Sequence, residues 1–201
     1  MDRQPPREPS RCAWCASSLV IALLVVAVVF GIAGPADVRA QSWLPDAMFT
    51  QIGKGTSTES WSAGLQWHWN REWQWGQSLM LRGRWELALG RWRVELGEQS
   101  RDWAWITELS AAPSLRLSDA TQTGWYGELG VGPSLLLPVY RSQDRRFSTQ
   151  FNFQSHLSAG YVWGTRGEHD VGLRVEHYSN AGIRKPNPGV DLGALRYTYR
   201  F

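Results

Sequence analysis

A chain of 201 residues with 21 Lys and Arg against 18 Asp and Glu has a formal net charge of +3, a balance that calls for no nucleic-acid partner. The length suits one domain, and lysine is too scarce to build a basic stripe. Thirteen Trp and 20 Gly point instead to sheet structure with a surface against something apolar.

The first segment reads as an export signal. Arg3, Arg7 and Arg11 form a basic head, Leu19 to Ala33 is an almost unbroken apolar run, and Val38-Arg39-Ala40 supplies a small-residue cleavage pattern. The run is about 15 residues, short of the roughly 20 that a spanning helix needs. The expectation is a signal peptide over 1–40, cleaved after Ala40; an uncleaved anchor is the alternative. Cys12 and Cys15 both fall in this segment. The remaining 41–201 therefore has no disulfide, thiol nucleophile or thiolate-bound metal. No cofactor or metal site is expected there. An exported, cysteine-free, Trp-rich chain points to a bacterial envelope.

After Gln41 the pattern has period two, repeatedly. Residues 46–55 alternate weakly. From Trp61, the side chains of Trp61, Ala63, Leu65, Trp67 and Trp69 oppose Ser62, Gly64, Gln66 and His68. From Leu79, a second clear run sets Leu81, Trp85, Leu87 and Leu89 against Arg82, Arg84 and Glu86. Residues 102–117 and 124–139 read as strands despite Pro113 and Pro133. From Phe147, the set Phe147, Phe151, Phe153, Leu157, Tyr161 and Trp163 opposes Gln150, Asn152, Gln154 and His156. Val171, Leu173 and Val175 oppose Arg174 and Glu176, and finally Leu195, Tyr197, Tyr199 and Phe201 oppose Arg196, Thr198 and Arg200. That makes eight strands. Tight turns are expected near Gly76, Asp119 and Gly164–Gly167, and connections that are longer or more charged near 55–60, 91–101, 140–146 and 180–190.

The polar face carries arginine and glutamate strand after strand, while the apolar face is bulky and aromatic. Eight tilted strands of this length can close into a transmembrane barrel with its apolar side outward. Its interior is filled by side chains, here a paired Arg/Glu/Gln/His core. Closure removes the sheet edges that lipid does not tolerate. Trp and Tyr then belong to the interfacial girdles. The fold expected is all-β, an eight-stranded antiparallel transmembrane β-barrel over 41–201. A soluble, lipocalin-like barrel is the rival, and it would be extracted without detergent.

With both termini periplasmic, the seventh strand, about 167–179, runs outward and ends at the outer-leaflet rim. His177 and Ser179 share the face of Val171, Leu173 and Val175, so both stand on the lipid side. A serine becomes a nucleophile when a neighbouring base takes its proton, and the base works best when a third group orients it. Asp191, after the loop, shares parity with Leu195 and Tyr197 and can lie beside His177. Asn180, or the amides around Asn180 to Gly182, can hold an oxyanion. Each residue also has a plain reading. Interfacial His and Ser hydrogen-bond headgroups, Asn180 and Asn187 are common turn residues, and Asp191 is a solvated strand-start carboxylate.

The stretch His177-Tyr-Ser179-Asn180-Ala181-Gly182, followed by Pro186-Asn187-Pro188-Gly189, resembles the lipid A 3-O-deacylase family, the PagL-type outer-membrane acyl hydrolases. Residues 130–138, 147–164 and 169–177 are similar to that family as well. The resemblance implies an eight-stranded outer-membrane barrel that hydrolyses the ester-linked chain at position 3 of lipid A, with no metal. It implies Ser179 as nucleophile, His177 as base and Asn180 at the oxyanion site. Where the family usually has glutamate to orient the histidine, this chain has Asp191, one methylene shorter. Lipid A carries phosphates, and Arg184 and Lys185, with Arg141, Arg145 and Arg146, sit on outer connections able to meet them; solvated loop charge is the plain alternative. A homodimer is allowed and not required. The competing function is a non-enzymatic outer-membrane barrel with a binding or structural role.

Overall fold

The computed structural model describes residues 43–97 and 102–201. The signal peptide expected over 1–40 lies outside them. The described residues form eight antiparallel strands closed in chain order: β1 (Ala47–Lys54), β2 (Thr58–Trp75), β3 (Leu79–Glu95), β4 (Trp103–Asp119), β5 (Gly124–Leu137), β6 (Phe151–Trp163), β7 (His169–Ser179) and β8 (Val190–Arg200). β1 closes the ring against β8, with Ala47 opposite Arg200 and Lys54 opposite Gly193.

Parity fixes which side meets lipid. Along β7, Val171, Leu173 and Val175 are exposed while Asp170, Arg174 and Glu176 are buried. β3 repeats this with Trp85, Leu87 and Leu89 outside and Arg84, Glu86 and Trp92 inside. A soluble barrel would be the reverse, so this ring is built to stand in lipid. The interior charges are paired across the lumen. Arg174 reaches Glu86 at 3.1 Å and Glu128 at 2.8 Å, and Arg196 reaches Glu86 at 2.9 Å. Aromatic side chains gather near both ends of the outer wall: Trp163, Tyr197, Tyr199 and Phe201 towards one, Trp61, Trp103 and Trp105 towards the other.

Several sequence expectations shift. Phe147 does not open the sixth strand on its outer face. β6 begins at Phe151, and Phe147 turns inward, 1% exposed, against Tyr140. It joins Trp92, Val94, Ile106, Leu136, Tyr178, Val190 and Leu192 in an apolar plug. The interior is therefore polar at mid-height and apolar at the end away from the termini. The connection near 55–60 is short, since β2 already starts at Thr58. The β4–β5 register skips from Ser110–Ser134 to Ser114–Gly130, so Pro113 and Pro133 fall where ladder pairing is interrupted.

The turns after β2, β4 and β6 share one end with the start of β1 and the end of β8. The connections after β1, β3, β5 and β7 share the other end, and the residues of interest lie there.

Candidate active site

His177 is the next-to-last outward residue of β7. Its register partners are Ser155 on β6 and Asp191 on β8. The imidazole and the Asp191 carboxylate meet at 2.6 Å, Nδ1 to Oδ1, with both side chains about half exposed or more. A carboxylate can only accept, so the bonding proton sits on Nδ1. In the neutral ring that arrangement leaves the lone pair on Nε2. The shorter aspartate does not lengthen the contact. Direct cross-strand pairing brings the two Cβ atoms to about 5 Å, close enough for the short side chain.

Ser179 lies two residues further along β7 on the same face, opposite Phe153 of β6. Same-face neighbours on a strand are about 6.7 Å apart along the chain, and among the described residues the imidazole is hydrogen-bonded to Asp191 and not to Ser179. Between them Tyr178 points inward and is 2% exposed. Its hydroxyl donates to Glu108 at 2.8 Å, and its ring meets Trp92 edge-on at 4.7 Å. Sequence reading passed over Tyr178, yet it pins the strand end that carries both outward groups.

The loop from Asn180 to Gly189 folds back over the histidine. Gly189 has φ +70°, and a Cβ there would lie 2.8 Å from Cε1 of His177. Only glycine gives both the backbone angle and the space. Arg145, from the β5–β6 connection, donates to the Gly189 carbonyl at 2.8 Å. The sequence offered Arg145 as a phosphate ligand; the structure gives its guanidinium a loop carbonyl. Arg184 and Lys185 are exposed on the loop, as are Arg141 and Arg146 on the neighbouring connection.

Asn180 departs from its expected place. It is 0% exposed. Its side-chain amide donates to the Arg184 carbonyl at 2.7 Å and to the hydroxyls of Ser148 and Thr149 at 3.1 Å each. Its own N–H donates to Asn187, and its side-chain oxygen accepts from Gly182. The side chain is committed to bracing two loops and is turned away from the wall. Of the amides from Asn180 to Gly182, that of Ala181 has no acceptor among the described residues.

Below the His177–Asp191 pair, the next outward residues are Val175 and Gly193, register partners. They open an apolar trough of about 990 Å³ whose walls include Ile52, Leu157, Ala159, Leu173 and Leu195. Gly193 and Ala159 leave the floor low between the larger side chains.

Comparison with known proteins supplies the family. Residues 60–200 match the model for the lipid A 3-O-deacylase family, PagL. The lipid A deacylase PagL of Bordetella bronchiseptica is 34% identical over 116 residues, 58% of this chain and 61% of that protein. The match thus spans less than two thirds of the Bordetella protein. The Pseudomonas aeruginosa lipid A deacylase PagL is 30% identical over 144 residues, 71% of this chain and 79% of that one. The crystal structure of the outer membrane enzyme PagL superposes with a TM-score of 0.66 at 25% identity, over 77% of this chain and 99% of that one. An outward His–Asp pair, a serine beside it and a barrel turned inside out for lipid thus sit within a match covering most of the strands: the chain belongs to the lipid A 3-O-deacylase (PagL) family.

Proposed function

We propose that the chain is a serine esterase of the bacterial outer membrane that hydrolyses the 3-O-linked acyl chain of lipid A. The observation that carries this reading is the 2.6 Å contact between His177 and Asp191 on the outer wall. An imidazole held by a carboxylate, with a serine two residues along the same face, is the arrangement a general base needs. The end bearing the pair faces the outer leaflet, because the opposite end carries both described termini and the tight turns usual on the periplasmic side.

In this mechanism Nε2 of His177 takes the proton from Ser179 Oγ as Oγ attacks the ester carbonyl. The tetrahedral anion is met by the backbone of the turn at Ala181, since the Asn180 side chain is bonded elsewhere. His177 then gives the proton to the departing sugar oxygen. Water, deprotonated by the same nitrogen, releases the 3-hydroxy fatty acid from Ser179. Asp191 keeps the proton on Nδ1 and stabilises the imidazolium. The acyl chain lies in the trough over Gly193, so no interior pocket is needed. Arg184 and Lys185 remain the loop cations placed to meet lipid A phosphates.

The test is the mass profile of lipid A from outer membranes carrying each variant. Ser179→Ala and His177→Ala abolish loss of the hydroxyacyl chain. Asp191→Asn slows it less, because nucleophile and base survive while their orientation is lost. Continued stripping by the Ser179→Ala protein would overturn the assignment.

A further inference from the structure

Four strands round the ring from His177, the outer wall carries a cation that no carboxylate meets. Arg91 projects outward from β3 between Trp61 of β2 and Thr107 of β4, its register partners. One N–H of its guanidinium donates to Thr107 Oγ1 at 2.7 Å. Its plane is held 5.6 Å from the Trp105 ring, and Trp105 in turn stacks on Trp61. Two residues on, Arg93 shows the contrast. It pairs with Glu59 at 2.7 Å and lies over Trp103 at 4.0 Å. Arg93 is neutralised within the protein; Arg91 has no carboxylate among the described residues.

Trp61 and Trp105 belong to the aromatic band near one end of the wall, so Arg91 beside them stands near the headgroups, where anions are at hand. The lipid itself is the nearest source, and a guanidinium fork suits phosphate. Around Arg91 the wall also holds an open apolar trough of about 610 Å³, lined by Ile52, Trp61, Ala63, Leu89 and Tyr197 among others. A phosphate donor fork above an acyl-sized groove is the outline of an acylated phospholipid-like molecule. Arg91 and Leu89 lie on β3 and Ala63 on β2, four and three strands round the ring from Ser179. The groove adjoins the trough below His177 at Ile52, Trp61 and Leu195, so the deacylation rate is what separates a lipid held here from the one being hydrolysed.

We propose that this wall is a second, non-catalytic binding site for a phosphate-bearing lipid A molecule, with Arg91 on its phosphate and an acyl chain beside Ala63 and Leu89. The choice of lipid A over other anionic lipids rests on the function proposed above; the phosphate chemistry does not.

The experiment counts lipid A bound to the detergent-purified barrel by native mass spectrometry, in a Ser179→Ala background that stops turnover. Arg91→Gln weakens retention of one lipid by about tenfold or more, as loss of a charge-assisted contact should. Arg91→Lys falls between, keeping charge without the fork. Lipid A stripped of phosphate behaves on the unsubstituted wall as phosphorylated lipid A does on Arg91→Gln. In the Ser179 protein, Arg91→Gln leaves the deacylation rate unchanged. Equal retention by Arg91→Gln overturns the proposal, as does equal retention of dephosphorylated lipid. A deacylation rate that falls with the lipid count would put Arg91 on the catalytic substrate, and a change in oligomeric state would make the wall a contact between copies; either overturns it. If Arg91→Gln does not fold, Arg91→Lys decides: retention equal to that of the unsubstituted wall overturns the proposal. A Ser179 protein that binds lipid A and hydrolyses none would sink the proposed function and leave this site standing.

Discussion

At the scale of single residues, the site depends on what stands behind the imidazole. Asp191 fixes one ring nitrogen at 2.6 Å, and Gly189 sets how close the backbone comes to Cε1. A methyl at Gly189 meets the ring at 2.8 Å and is asked to adopt φ +70°. The backbone strain costs about 1 kcal/mol or more, and the ring must swing off Asp191 or towards Ser179. Gly189→Ala is therefore expected to cut the rate of deacylation by about tenfold or more, since small misplacements at a reacting centre are costly. The folded barrel should survive, since the loop lies outside the ring. Deacylation at the unsubstituted rate, with folding checked by gel mobility, would show that the ring does not rely on this contact.

At the scale of elements, the site joins two connections that sequence reading treated apart. The β5–β6 connection and the β7–β8 loop are laced by Arg145 on Gly189, by Ser148 on the Arg184 carbonyl at 2.7 Å and by the buried Asn180 amide on the Ser148 and Thr149 hydroxyls. Arg145→Ala removes the donor to the Gly189 carbonyl and lets the loop lift from His177. The expected outcome is a lower kcat with little change in KM, because orientation is lost rather than lipid affinity. Arg145→Lys should restore part of it. A raised KM at constant kcat would return Arg145 to the role the sequence suggested, a phosphate ligand. The strands and the outward placing of His177, Ser179 and Asp191 were legible because period-two alternation states which side each residue takes. The lacing was not. Arg145 and Gly189 are 44 residues apart, and irregular loops carry no period. Phe147 failed for the same reason. Its parity with Phe151 counts only if the strand reaches that far, and Gln150 and Thr149 already belong to the connection. Asn180 had a sound local reading, a polar group next to the serine, but its burial depends on Ser148 and Thr149 arriving from elsewhere.

At the scale of the molecule, the lumen ties every strand to another. Gln51 of β1 bonds Glu176 of β7 and Arg196 of β8, while Gln66 of β2 bonds Glu86 of β3. Arg116 of β4 pairs with Glu128 of β5 and Asp170 of β7, and Gln154 of β6 bonds Glu176. Arg174 stands at the crossing, shared by Glu86 and Glu128. Such a network holds the ring together only while it is complete, for a buried charge left without its partner costs more than the pair contributes. Arg174→Met is expected to destabilise the barrel by about 3–5 kcal/mol and to lower the temperature at which the compact gel form converts to the slower one. Adding Glu86→Gln should cost less than the sum of the two changes, because one deletion removes the charge that the other strands. Below the transition, deacylation should hardly change, since Arg174 faces the lumen and His177 faces out. An unchanged transition temperature would mean that strand pairing and the apolar plug behind Tyr178 hold the ring without the charges. A lost rate in a barrel that is still folded would mean that the lumen governs the wall.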